Sequence, residues 1–168
     1  MKAVYGLDRI KSSIPHRPPI LLVDRIDEVV PGSRLVGRKA ISGNEPCYAE
    51  LGQDAAASAY EYPRALVIES WAQAAVLLAV WTRPNPDVLA GKVELAGAIN
   101  GVVFGGPALP GDVLVHEVRL VRAIDDTAIV AGRTTVGDSP VLEIDSFVVA
   151  LRDVTELRPV QERQPASV

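Results

Sequence analysis

The chain has 168 residues, room for one domain and hardly two. Hydrophobic residues make up 48% and charged residues 23%, a balance that builds a substantial core and excludes disorder over most of the length. Lys and Arg number 17 against 21 Asp and Glu, a net charge of -4 that speaks against an electrostatic grip on nucleic acid. A single cysteine, Cys47, excludes an internal disulfide and a Cys-rich metal site. With only His16 and His116 besides, a multi-histidine centre is improbable, and no metal or cofactor is expected. The first residues hold no apolar signal region, and no run of about 18 uninterrupted apolar residues occurs. The expectation is a cytoplasmic protein with no membrane span.

In chain order, Leu7 to Ile14 reads as one or two helical turns stopped by Pro15. From Ile20 to Ile41 the β-branched content rises, and Pro31-Gly32 splits the stretch into two strands joined by a tight turn. Asn44 to Pro63 is small and polar and reads as loop, with Asp54 to Tyr60 open to a short helix. Arg64 to Trp81 is long and rich in Ala and Leu, which favours helix, and Pro63 and Pro84 bound it. Apolar residues cover nearly its whole circumference, so the helix is expected to be buried all round.

Val88 to Phe104, Val113 to Ile124, Thr127 to Val136 and Val141 to Arg152 are Val- and Ile-rich runs. Gly105-Gly106, Pro110-Gly111-Asp112, Asp125-Asp126 and Gly137-Asp138 separate them with turn chemistry, the pattern of an antiparallel meander. Gly97 and Gly101 hint at a bulge or bend in the first run. The whole is an α+β chain in which a long central helix is wrapped by a curled antiparallel sheet of about five or six strands, the hot-dog architecture. Residues 1–155 form that single domain, and 156–168 read as a disordered tail. Apolar helix and strand edges left over make dimerisation the default.

Glu69 and Gln73 stand four residues apart and share a helix face. A carboxyl in an apolar helix is costly unless paired or protonated, and desolvation would raise its pKa toward that of a general acid. An internal Glu–Gln hydrogen bond or a salt bridge to an arginine is the structural alternative. His16, in Pro15-His16-Arg17-Pro18-Pro19, reads as a structural hydrogen-bonder in a rigid extended segment, and His116 as a strand residue. Cys47 has no basic neighbour to lower its pKa and reads as an idle thiol. Glu50 and Asp54 read as solvated, and Tyr60 and Tyr62 as pocket wall or core cap.

Four segments together resemble one family. Pro15 to Arg25 (PHRPPILLVDR), Asn44-Glu45-Pro46, Leu66 to Ala74 (LVIESWAQA) and Pro110-Gly111-Asp112 are similar, in the right order, to motifs of the bacterial (3R)-hydroxyacyl-ACP dehydratases of the FabZ/FabA type. The resemblance runs from about Leu7 to Arg152. It implies a hydro-lyase acting on a 3-hydroxyacyl thioester of acyl carrier protein (ACP), which loses water to give the trans-2-enoyl form. In that family a histidine removes the C2 proton, the helix carboxyl protonates the departing hydroxyl, and N–H groups at the helix start, here around Arg64 and Ala65, polarise the thioester carbonyl. Each site is built across a dimer. Glu69 maps onto the acid and Gln73 onto the glutamine beside it.

The family's histidine, however, is missing. After Asn44-Glu45-Pro46 the chain reads Cys47-Tyr48-Ala49-Glu50-Leu51-Gly52-Gln53-Asp54, with Leu51 where the imidazole belongs. The loop up to Glu69 is longer than the family's, and Arg64 replaces the glycine at the helix start. The family's fold implies that His16 and His116 both lie away from the acid. One reading is therefore a histidine-less subunit of a heterodimeric dehydratase, in fatty acid or polyketide biosynthesis, whose hot-dog homologue supplies the histidine. Ala59-Tyr60-Glu61-Tyr62-Pro63 loosely resembles the rebuilt loops of such subunits in polyene-forming type II polyketide pathways. A second reading is a self-sufficient homodimeric thioester enzyme, a dehydratase, isomerase or thioesterase, with Asp54, Glu50 or a tyrosine as base. A third is a non-catalytic acyl-ACP-binding protein. Arg64, Ala65, Tyr60, Tyr62 and Asp54 are the candidate substrate-binding residues, and Arg64 and Arg83 are candidates for docking acidic ACP.

Overall fold

A computed structural model describes residues 4–157. The chain opens with a short helix, α1 (Leu7–Lys11), that ends before the expected Ile14. It then runs as a strap through Pro15 to Asp24, with a turn at Pro18 to Ile20, before β1 (Arg25–Val30) and β2 (Arg34–Ala40). The expected loop holds two 3-10 turns, Pro46–Tyr48 and Ala57–Tyr60. The second of these falls inside the stretch that was open to a short helix. The long helix α2 (Arg64–Val80) follows, then β3 (Lys92–Phe104), β4 (Val113–Ile124), β5 (Thr127–Val136) and β6 (Ser139–Asp153). A last 3-10 turn spans Val154–Leu157 and takes in the first two residues of the tail expected over 156–168, and the rest of that tail lies outside the described residues.

The six strands form one antiparallel sheet in the order β1-β2-β4-β5-β6-β3, and α2 packs against β2, β4, β5 and β6. By length and composition Ala57–Val80 is apolar enough to cross a bilayer, but its helical part, α2, contributes its buried residues to the core under the sheet. Trp71 anchors it. The indole meets the Phe147 ring edge-on at 5.9 Å and donates from Nε1 to the Glu117 carbonyl oxygen at 3.2 Å. Strand β5 gives it room through Gly132, where a Cβ would come within 1.9 Å of that same carbonyl oxygen and 3.2 Å of the indole. At the far end, Arg9 from α1 donates to the Trp81 carbonyl oxygen at 2.9 Å and lies over the Trp81 ring. A guanidinium there satisfies a terminal carbonyl and complements the negative end of the helix dipole.

The bend expected in β3 is present. Its register with β6 shifts between Ala96 and Ile99, and Gly101 takes φ +61° where a Cβ would collide with the Asp145 side chain. β3 is also a sheet edge. It pairs with β6 on one side only and leaves Leu95, Ile99 and Val103 exposed over a 13-residue strand. Long apolar edges of this kind are normally covered.

Candidate functional site

The site is built where the strap crosses α2. Gln73, 1% exposed, accepts from the Leu22 N–H through Oε1 at 2.9 Å and donates through Nε2 to the Ile20 carbonyl oxygen at 2.7 Å. The same Nε2 donates to Glu69 Oε1 at 2.7 Å. One amide thus fastens Ile20 and Leu22 to the helix and orients the carboxyl one turn earlier. The internal Glu–Gln hydrogen bond weighed from the spacing is therefore present, and it leaves the second carboxylate oxygen free of that bond.

Two expectations need correction. The Glu69 side chain is 36% exposed, so the carboxyl lies at the surface of the subunit, not sunk in apolar surroundings. Neighbouring Leu66, Ile68 and Ala72 are likewise only half-buried, because this flank of α2 turns away from the sheet. Nor is His16 remote from the acid. Its Nε2 lies 3.7 Å from Glu69 Oε1, carried there by the strap that Gln73 holds down. Arg17 stiffens the approach, its guanidinium donating to the carbonyl oxygens of Ile14, His16 and Lys11. Burial holds the His16 imidazole below its usual pKa; the Glu69 carboxylate opposes that shift and Arg17 adds to it. The long-range clamp between Gln73 and Ile20-Leu22 was the missing signal. A buried glutamine beside a Pro-rich run suggests such a clamp, but spacing alone does not say which run it grips.

His116 lies behind the helix, at Ser70. Its Nε2 is 2.7 Å from Ser70 Oγ and its Nδ1 2.9 Å from Thr134 Oγ1, with all three side chains fully buried. A serine beside an imidazole has the composition of a nucleophile and its base, but no surface reaches it, so the triad fixes the rotation of α2 and hence the direction of Glu69. Burial, helped by the Lys39 charge, pushes the His116 pKa down to about 3. Unfolded, the ring takes up a proton below its ordinary 6.5; folded, it does so only near 3. Stability is therefore expected to fall as pH drops through that window, by up to about 1.4 kcal/mol per pH unit from this group. Urea titrations between pH 7 and 4 should show that slope, and it should flatten in His116→Gln.

The remaining candidates separate. The helix start has no side-chain cap, so the N–H groups of Arg64 and Ala65 are offered outward, as a carbonyl clamp requires. The Arg64 guanidinium itself stacks over Phe104 at 5.0 Å. Tyr62 is buried, with its ring 5.7 Å from the Lys39 ammonium, and that ammonium is tied to Glu45 of the Asn44-Glu45-Pro46 loop. Tyr60 leans on Tyr48 at 5.9 Å. The Tyr62 hydroxyl is buried without a hydrogen-bond partner among the described residues, and burial raises both the Tyr62 and Tyr48 phenols, Tyr48 to about 12. Asp54 and Glu50 are exposed and make no ion pair or side-chain hydrogen bond among the described residues. The Cys47 thiol is exposed, and desolvation with the nearby Glu45 carboxylate raises its pKa, the opposite of an activated nucleophile. No group of three or more His, Cys, Asp or Glu side chains among the described residues could hold a metal ion.

This arrangement has recognisable relatives. The family model described as a FabA-like domain matches residues 14–145. A 3-hydroxyacyl-[acyl-carrier-protein] dehydratase FabZ from Anaeromyxobacter sp. is 38% identical over 137 residues, covering 78% of this chain and 84% of that one. The enzyme of the same name from Pediococcus pentosaceus is 34% identical over 152 residues, covering 90% and 97%. Among solved structures, a chain of the dehydratase heterocomplex ApeI:P from Xenorhabdus doucetiae superposes with a TM-score of 0.71 at 18% identity, covering 91% of this chain and 95% of that chain. That likeness shows the fold.

Proposed function

The chain belongs to the FabA-like, FabZ-type family of hot-dog dehydratases, and on that premise we propose that it is the acid-bearing subunit of a heterodimeric 3-hydroxyacyl-ACP dehydratase. The observation that carries this reading is a half-site. Glu69 is held by Gln73 at the surface of α2 beside an uncapped helix start, while the loop from Asn44 to Pro63 holds no imidazole. Elimination needs a base for the C2 proton as well as an acid for the hydroxyl, and loss of a positioned base costs about 10²–10⁴-fold. A hot-dog homologue bearing the histidine would complete the site against Glu69. The apolar residues exposed on the edge of β3 and the half-buried Leu66, Ile68 and Ala72 are surfaces that support a partner. So does the shared fold with a chain from a dehydratase heterocomplex.

In this reading the thioester carbonyl of the ACP-borne substrate accepts from the first-turn N–H groups of α2, which acidifies C2. The partner's histidine takes the C2 proton, the electron pair becomes the C2=C3 double bond, and Glu69 protonates the hydroxyl as the C3–O bond breaks. A self-sufficient enzyme using Asp54 or Glu50 is less well supported, because both carboxylates are exposed to solvent, where a carboxylate is a weak base for a C2 proton. The test is turnover of a 3-hydroxyacyl-ACP by the purified chain, by a histidine-bearing hot-dog homologue whose own helix acid is replaced by glutamine, and by the two mixed. We expect enoyl-ACP only from the mixture. Turnover by the chain alone would overturn the heterodimer, and an inactive mixture that still binds acyl-ACP would leave the role of a binding protein.

A further inference from the structure

We propose that His16 is a second hydrogen-bond donor to the departing 3-hydroxyl oxygen, working beside Glu69 and not in place of the absent base. The proposal rests on the reading of Glu69 as the proton donor. Three observations carry it.

The first is spacing. His16 Nε2 and Glu69 Oε1 are 3.7 Å apart, too far for a good mutual hydrogen bond. They are close enough, though, that one oxygen placed off the line between them lies about 2.8 Å from each. The atom that the reaction brings to Glu69 is the 3-hydroxyl oxygen.

The second is the tautomer. His16 Nδ1 is buried and has no hydrogen-bond partner among the described residues. A proton there would be a buried donor without an acceptor, a cost of about 1–3 kcal/mol, whereas an unused lone pair is tolerated better. The ring proton therefore sits on Nε2 and points toward the Glu69 carboxyl. A base would need Nε2 bare, which forces the proton onto Nδ1. The same burial that makes His16 a donor thus unfits it as a substitute for the missing loop histidine.

The third is rigidity. Gln73 pins Ile20 and Leu22, and Arg17 pins the carbonyl oxygens of Ile14, His16 and Lys11, so the imidazole is preorganised before substrate arrives. Glu69 transfers its proton to the hydroxyl oxygen as the C3–O bond breaks, and the C2 proton goes to the partner's histidine. His16 keeps its own proton, stabilises the oxygen that leaves as water, and needs no resetting. The carboxylate and the partner's imidazolium return to their starting states by net proton exchange through solvent.

Because the chain has only two histidines, ring ¹⁵N spectra of the free protein read the tautomer directly. At neutral pH, His16 should show a protonated Nε2 and a bare Nδ1. A 3-hydroxyacyl thioester of N-acetylcysteamine should move the Nε2–H resonance, and its 3-deoxy analogue should not. An Nδ1–H tautomer, or equal shifts with both thioesters, would overturn the proposal. In the purified heterodimer, His16→Ala should lower kcat by about 10²-fold with KM little changed. His16→Gln, whose amide can donate but cannot act as a base, should recover most of that loss. If His16→Gln is as poor as His16→Ala, the donor role is wrong. Should the wild-type mixture show no turnover, the heterodimer reading fails, while the spectra still decide what His16 does.

Discussion

In the purified heterodimer, Glu69→Gln is expected to lower kcat by about 10³-fold while leaving the fold intact. The substitution removes a transferable proton and little else. A glutamine at 69 still accepts from Gln73 Nε2 through its carbonyl oxygen, so the bond that orients the side chain survives. Because the side chain is 36% exposed, no buried cavity or orphaned charge is created, and stability should stay within about 0.5 kcal/mol of the parent. Only one of the heterodimer's two composite sites would hold both an imidazole and an acid, so no second site masks the loss. A drop in activity together with a lower denaturation midpoint would point to a structural carboxyl. Unchanged turnover would remove Glu69 from the chemistry.

Gln73→Met should damage fold and activity together. The side chains are nearly equal in length, so packing around α2 is preserved, but three hydrogen bonds vanish at once. The Leu22 N–H is left in a buried position without an acceptor, and the Ile20 carbonyl oxygen loses its donor. An expected cost of about 2–4 kcal/mol follows from stranding those groups. The strap that carries His16 would lift from the helix, and Glu69 would lose its orienting amide. Urea midpoints combined with kcat on the same preparation measure both effects. Wild-type stability in this variant would mean that the strap is held by something other than Gln73.

Much of this architecture was legible from residue order. The span of α2 followed from its Ala- and Leu-rich run between Pro63 and Pro84, and the meander from turn residues between Val-rich stretches. The β3 bend was foreshadowed by Gly97 and Gly101. The motif pairing of Glu69 with Gln73 pointed to a shared face and a hydrogen bond. What the residues could not reveal lies in long-range polar contacts. Ile20 to Asp24 has β-branched strand chemistry, yet only Asp24 reaches β2, at Arg38 and Ala40, while Ile20 and Leu22 are held by one glutamine side chain 53 and 51 residues away instead of by a strand ladder. That single clamp also brings His16 to the acid, which local periodicity cannot express. The exposure of Glu69 was hidden for a related reason. A helix apolar all round suggests burial all round within one subunit, whereas here one flank is left half-open. Ser70, His116 and Thr134, distant in sequence, gave no pattern at all before the strands placed them together.

The most direct test pairs this chain with a histidine-bearing hot-dog homologue whose own helix acid has been replaced by glutamine. Homodimers of that variant cannot eliminate water, so any enoyl-ACP must come from its imidazole acting with Glu69. We expect such a mixture to dehydrate 3-hydroxyacyl-ACP at close to the rate of the unmodified pair, and to lose that activity when Glu69→Gln is added. No turnover from the mixture, under conditions where the unmodified pair is active, would contradict the account.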